Sequence, residues 1–263
     1  MAPESVERAY DAIAASYDQG YEGLRWDLYD AVTMDVANSF LPPPPSRVLD
    51  AGAGSGKFAL KLLARGHHVT LLDPSARMLD EADAKLRRAG LAQRAQIVQG
   101  TIEAMRFPDA SFDFVFCEGD PLSYCIDTHA AAAREIIRVL RPGGGFYASV
   151  DNRGFATLAI LAGGHVEDGF GVARSGRALD PYGTPVHAFG ASELRALFED
   201  AGAADVRVSG KVVFAHMMPD ATLLPMLADP ATRERFHALE IASGRDPSMA
   251  ALASHLHVVG RRP

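Results

Sequence analysis

The chain has 263 residues, 48% hydrophobic and 22% charged, with a formal net charge of -7. That is enough for one α/β core with embellishments, and the acidic balance argues against nucleic acid as a partner, because nucleic-acid binders present a basic face. The two cysteines, Cys117 and Cys125, lack metal-finger spacing, the opening "MAPESVERAY" has no basic start, and no apolar run reaches membrane-spanning length. A cytoplasmic protein with reduced thiols and no membrane partner is expected; a homo-oligomer stays open.

Two helical stretches, about residues 3–18 and 25–40, precede "PPPP" at 42–45, a stiff spacer. Strand-like and helix-like patterns then alternate, which predicts a parallel sheet with helices on both faces. "RVLDA" (47–51) reads as a buried strand, and "SGKFALKLLARG" as a helix with Ser55 as its cap and Gly66 as its stop. "HVTLLD" (68–73) is a second strand. A helix over 75–89 follows, with Ala76, Leu79, Ala82 and Leu86 on its buried face. Further strands fall at 95–100, 112–119 and 144–150, and a helix over 128–140 ends at Pro142 and its glycines. Residues 154–189, Gly-rich and holding Pro181 and Pro185, read as a long insertion of lid or binding type. A helix at 192–202, a strand at 205–216, helical pieces over 219–252 broken by Pro225, Pro230 and Pro247, and a half-buried strand in "SHLHVVGRRP" complete the chain. His67 and His68 are expected to face solvent, and His255 and His257 solvent or the helices.

The loop in "VLDAGAGSGK" (48–57) selects a ligand by its spacing. A P-loop is excluded because three residues separate Gly52 from Gly56 and Phe58 follows Lys57. A dinucleotide fingerprint fails at its sixth position, which is Lys57. What remains is acid-x-Gly-x-Gly-x-Gly, filled by Asp50, Gly52, Gly54 and Gly56. Such a loop lies at the carboxyl edge of the sheet, lets a ligand approach the backbone, and offers helix N–H groups to an anion such as a carboxylate. Asp73 ends the second strand, placed to accept hydrogen bonds from ribose hydroxyls. Together they imply a nucleoside carrying something smaller than a pyrophosphate.

With "VLDAGAGSGKFALKLLARGHHVTLLD", "QGTIEAMRFPDASFDFVFCEG" and "REIIRVLRPGGGFYASVDN", the chain resembles the class I S-adenosylmethionine-dependent methyltransferases over nearly its whole length. The resemblance implies an α/β, Rossmann-like seven-stranded sheet with helices on both faces, its last strand antiparallel, behind an N-terminal helical cap. It implies one domain over 1–263: a lid at 1–45, a cofactor-binding half at 46–153, and a substrate-side insertion with the C-terminal half at 154–263. It implies S-adenosylmethionine as cofactor, with Asp50, Ala51, Gly52, Gly54 and Gly56 around the methionine moiety and Asp73, followed by Pro74, on the ribose. Ser75 to Met78 would flank the adenine, with Thr101, Ile102 and Glu103 on its other side. Glu118 would lie near the methionine amino group or the methyl, Tyr17 would close over the cofactor, and Arg25 would contact the carboxylate. One departure is that Gly100-Thr101-Ile102 stands where many relatives carry Gly-Asp-Ala, which passes an adenine contact to Thr101, Glu103 or a backbone carbonyl.

A sulfonium methyl is already activated, so the protein must align the reactants, exclude water and deprotonate the acceptor where required. The expected reaction is metal-independent transfer to an O, N or C nucleophile of a small molecule, with Tyr17, Tyr124, His165 and His187 orienting the acceptor or taking its proton. "EGDPLSYC" departs from the Asp/Asn-Pro-Pro-aromatic run of amide and base methyltransferases, since Leu122 follows Pro121. The alanine-, arginine- and glycine-rich composition resembles that of high-GC bacteria, which points to secondary metabolism such as antibiotic biosynthesis. Three alternatives stay open. One is a magnesium-dependent O-methyltransferase of a vicinal diol or catechol, using Glu118, Asp151 and Asn152. Another is a pericyclase-like cofactor binder, and the third a nucleotide-dependent oxidoreductase. The aromatics Tyr10, Tyr17, Tyr21 and Trp26 either cap the pocket or staple the N-terminal helices to the sheet.

Overall fold

The computed structural model describes the backbone from residue 3 and the side chains from residue 6, through to residue 263. The chain opens with α1 (Pro3–Ile13), tightens into a 3-10 segment (Ala14–Tyr21), and continues into α2 (Leu24–Ala37). Strands and helices then alternate: β1 (Arg47–Ala51), α3 (Lys57–Ala64), β2 (His68–Asp73), α4 (Ala76–Arg88), β3 (Ala95–Gln99) and β4 (Phe112–Cys117). Next come α5 (Pro121–Tyr124), α6 (His129–Val139) and β5 (Leu140–Asp151). "RPGGG" belongs to β5 rather than to a loop before it. Glycine is needed there because a Cβ on Gly145 would stand 2.8 Å from the carbonyl oxygen of Phe40.

Residues 154–189 are not the irregular insertion that their glycines suggest. They form α7 (Arg153–Ala162), α8 (Val166–Ser175) and a hairpin of β6 (Arg177–Leu179) and β7 (Pro185–His187). "RGFATLAILA" is rich in good helix formers, and Gly163 and Gly164 fall between the helices, where they interrupt neither. The remainder is α9 (Ala191–Asp200), β8 (Ala204–Lys211), α10 (Asp220–Ala228), α11 (Pro230–Arg245), α12 (Pro247–Ala250) and β9 (His255–Arg261). Pro230 and Pro247 begin helices as expected of a residue lacking N–H, after Asp229 and Asp246 caps. Pro225 does not break α10; the helix runs on past it, held by the fully buried Leu223 and Leu227.

The main sheet has the order β3-β2-β1-β4-β5-β9-β8. The first five strands in that order pair in parallel, while β9 lies antiparallel to both β5 and β8. The last strand of the chain is therefore the antiparallel one, as the resemblance implied. Helices cover both faces, so the strands are apolar on both sides. Leu49, Val115, Phe146 and Val258 pack with Ile136 of α6 and Phe198 of α9. On the other face Val48, Phe114 and Tyr147 pack with Met34 of α2, Leu62 of α3 and Leu79 of α4. This arrangement buries His257, which stands beside Tyr147 with ring centroids 5.4 Å apart, instead of exposing it. His67 is buried as well, while His68 is exposed.

Two glycines test the packing in opposite directions. In α8, a Cβ at Gly171 meets nothing within 4 Å. In α11, one at Gly244 would run into the carbonyl oxygen of Gly210 in β8. Gly171→Ala is expected to raise stability by about 0.5–1 kcal/mol through helix propensity, and Gly244→Ala to lower it by about 1–3 kcal/mol through overpacking. Urea denaturation midpoints of the two variants check both signs.

Candidate functional site

Parallel strands deliver their carboxyl ends to one edge, and β9, running the other way, delivers its first residue there. At that edge lies a cavity of about 610 Å³, within the range of small-molecule sites. The glycine loop after β1 forms one side. Gly52, Gly54 and Gly56 all have positive φ, at 81°, 52° and 77°, a region that other residues enter only with strain. A Cβ on Gly52 would overlap Pro121, whereas one on Gly54 meets nothing within 4 Å, so the loop leaves ligand room at Gly54.

Asp73 braces this loop. Its carboxylate accepts from the backbone N–H of Gly54 at 2.8 Å and of Ser75 at 2.9 Å, and burial pushes its pKa up to about 6. Asp50 lies behind the loop, 2% exposed, with one carboxylate oxygen unpartnered. Burial, followed by the nearby Asp73, raises its pKa to about 8.

Aromatic rings form the opposite wall in an unbroken series. Centroid distances are 5.9 Å for Tyr10–Tyr17, 4.7 Å for Tyr17–Tyr21, 4.7 Å for Tyr21–Trp26, 5.2 Å for Trp26–Tyr29 and 5.8 Å for Tyr29–His255. All six rings line the cavity. The N-terminal aromatics thus both staple the lid and wall the pocket. Tyr124 lies 2.6 Å, oxygen to oxygen, from Tyr10 and donates to Asp180 at 3.0 Å. Burial pushes the phenols of Tyr17 and Tyr124 well above their ordinary value, which suits them to hold and shield an acceptor rather than to ionise.

The floor is charged. Glu118 accepts from Lys211 and from the Tyr147 hydroxyl, and the fully buried Lys211 stands 3.6 Å from the centre of the Tyr29 ring. Beside this pair, one ligand atom each from Asp120, Asp151 and His255 lie within 4.8 Å of one another. Burial raises the pKa of both acids, and with the Asp120 charge it takes Asp151 to about 7. Burial and then Lys211 lower His255 to about 3, which leaves a neutral imidazole rather than half of an ion pair.

Among the residues expected at the site, Tyr17, Gly52, Gly54, Asp73, Pro74, Met78, Thr101, Ile102, Glu103, Glu118 and Tyr124 line the cavity. Ala51 and Gly56, like Asp50, are buried behind the loop. Arg25 points away from the site: its guanidinium binds Asp220 at 2.5 Å and the carbonyls of Ala215 and Met218, tying α2 to α10. His187 is 2.7 Å from Glu193 and stacks on His129, with its neighbours Val186 and Ala188, not its own ring, on the cavity wall. His165 is exposed at the start of α8, facing Asp168. Neither histidine lines the cavity. Sequence reasoning missed Tyr29, Asp120, Tyr182 and His255 as wall residues. For His255 a signal existed: the first residue of an antiparallel strand falls level with the last residue of its parallel neighbour, here Asp151.

Residues 48–144 match the model of a methyltransferase domain. The chain is 31% identical over 148 residues to the ubiquinone/menaquinone biosynthesis C-methyltransferase of Vibrio vulnificus, covering 53% of this chain and 54% of that one. It is 36% identical over 141 residues to the malonyl-acyl-carrier-protein O-methyltransferase of Erwinia billingiae, covering 54% and 51%. The chain thus spans about half the length of these curated relatives. Two solved structures share the fold. One is Haemonchus contortus phosphoethanolamine N-methyltransferase 2 in complex with S-adenosyl-L-methionine (TM-score 0.60, 19% identity, 90% of this chain and 53% of that one). The other is the cyclase SpnF (TM-score 0.58, 20% identity, 90% and 80%). Over residues 48–144 the chain is thus similar to methyltransferase domains, and its fold is shared with these two solved structures.

Proposed function

We propose that the chain binds S-adenosylmethionine against the glycine loop and directs its methyl to a small-molecule acceptor in the aromatic chamber. The observation that carries this reading is a single cavity that joins Gly54 and Asp73 at one end to Asp120, Asp151 and His255 at the other. The bound cofactor would supply an electrophilic methyl with sulfur as leaving group. Asp73 has carboxylate capacity beyond its two backbone bonds and would accept from the ribose hydroxyls. Met78 and Ile102, both buried, give an adenine its apolar flanks. Tyr10, Tyr17 and Tyr21 exclude water, and Asp151, with a pKa near neutrality, takes a proton from the acceptor where one must leave.

We assign the acceptor to bacterial secondary metabolism on the composition, and the setting to the cytoplasm on the two free, buried cysteines. No described helix is long and apolar enough to cross a membrane. The magnesium-dependent alternative loses two of its three ligands. Asn152 donates to the carbonyls of Ala250, Ala251 and Ala253 and accepts from Gly154 N–H, and Glu118 is held by Lys211 and Tyr147. A pericyclase-like role differs from methyl transfer in its product, which turnover assays read directly.

Asp73→Ala is expected to weaken S-adenosylmethionine binding by about 1.5–3 kcal/mol, the worth of hydrogen bonds to a charged group. Calorimetry on the folded variant checks this, and unchanged affinity would remove the assignment. Because the ionised form of Asp73 is the one that accepts, wild-type affinity should hold above pH 6. Below its pKa of about 6 affinity should fall, approaching roughly tenfold per pH unit.

A screen of acceptors that follows S-adenosylhomocysteine release will supply a substrate, and its turnover should survive excess EDTA. Activity lost on chelation and restored by magnesium would instead move the acceptor towards a vicinal diol or catechol.

A further inference from the structure

We propose that the acceptor carries a primary amino group and that this group docks, as an ammonium ion, among Asp120, Asp151 and His255. The inference rests on the methyl-transfer reading and adds the substrate class to it. It begins with the proton inventory of the trio. The Ser254 hydroxyl donates to the carbonyl oxygen of Lys211 at 3.2 Å, so its single proton is committed. With the Ser254 oxygen 2.9 Å from His255 Nδ1, we assign the imidazole the tautomer that donates through Nδ1. That leaves His255 Nε2 as a bare lone pair, 3.2 Å from Asp120 Oδ2 and 3.9 Å from Asp151 Oδ1. Three acceptor atoms therefore converge with no donor among them.

Asp120 sharpens the point. It is 9% exposed, lines the cavity, and its Oδ1 has no hydrogen-bond partner. A buried acceptor left in this state costs about 1–3 kcal/mol unless something binds it. The nearby cations are already engaged, Lys211 by Glu118 and Tyr29, and Lys57 by Asp30 at 2.8 Å. Burial raises the pKa of both acids; the Asp120 charge adds to the rise at Asp151, and the Lys211 charge offsets part of the rise at Asp120.

An occupant must therefore bring positive charge and donors. A primary ammonium offers three N–H groups to three acceptors. A hard metal ion asks for about six oxygens, whereas the described residues here supply two carboxylates and one imidazole beside Tyr29 and Phe155. The cavity of about 610 Å³ has room for an organic body behind the ammonium, and its aromatic walls attract a cation through their ring quadrupoles.

The test is calorimetry on the full chain saturated with S-adenosylhomocysteine, titrated with tyramine and, separately, with tyrosol, which has a hydroxyl in place of the amine. Tyramine is expected to bind at least tenfold more tightly. Asp151→Asn and Asp120→Asn should each abolish the preference while leaving S-adenosylhomocysteine affinity within about threefold. Asp151 has the more exposed side chain of the two, which keeps the test alive if the Asp120 variant does not fold. Equal affinities, no binding of either compound at millimolar concentration, or a preference that survives Asp151→Asn would overturn the inference. Competition between tyramine and S-adenosylhomocysteine would do so by giving the trio to the cofactor. Magnesium binding that is lost in Asp151→Asn would do so by making it a metal site. Failure to bind S-adenosylhomocysteine removes the methyl-transfer reading itself; normal binding without an amine preference removes only this one.

Discussion

The site is organised around the buried ion pair of Lys211 and Glu118. Lys211 ends β8 and Glu118 follows β4, so the pair reaches across the two strands between them, β9 and β5. Taking an ammonium out of water costs several kcal/mol, and here the carboxylate and the ring of Tyr29 offset that cost together. Breaking such a pair by removing one partner costs about 3–5 kcal/mol, so the floor of the cavity is fixed as a unit. The pair also sets the chemistry beside it. Lys211 contacts Glu118, its charge offsets part of the burial that raises the Asp120 pKa, and it helps to keep His255 neutral. The Lys211 carbonyl holds the Ser254 hydroxyl, which selects the His255 tautomer.

The framework was legible because its signals are local. β1 and β2 fall on the residues that their apolar runs marked, and the alternation with helices forces a parallel sheet. The glycine loop was legible for the same reason, since three positive-φ positions admit little besides glycine. Side-chain direction was not local. Arg25 looks like an anion contact until α10 brings Asp220 and two carbonyls to it, 195 residues away for Asp220. His187 and His165 were plausible bases as isolated imidazoles, yet one is engaged by Glu193 and the other faces water. The histidines of β9 were left between solvent and the helices because alternation does not say what covers each face; helices cover both faces of this sheet, and His257 is buried.

Lid and sheet are held on different energy scales. The sheet buries Phe114, Phe116, Phe146 and Tyr147 completely, each contributing on the order of 1.5–3 kcal/mol. Polar contacts tie the lid to the body as well: the fully buried Ser75 donates to Asp11 at 2.6 Å, Lys85 lies 2.6 Å from Asp18, whose side chain is 41% exposed, and Asp30 of α2 pairs with Lys57 at 2.8 Å. The partly exposed Lys85–Asp18 pair contributes about 0.2–1 kcal/mol. The aromatic series adds about 0.5–1.5 kcal/mol per ring pair, but most of its contacts lie within the N-terminal segment itself. The N-terminal rings therefore hold one another together as one wall of the cavity, largely through contacts within their own segment. The ion pair fixes the floor beside the charged trio, so the wall and the floor of the site draw on separate interactions, aromatic packing on one side and a buried charge pair on the other.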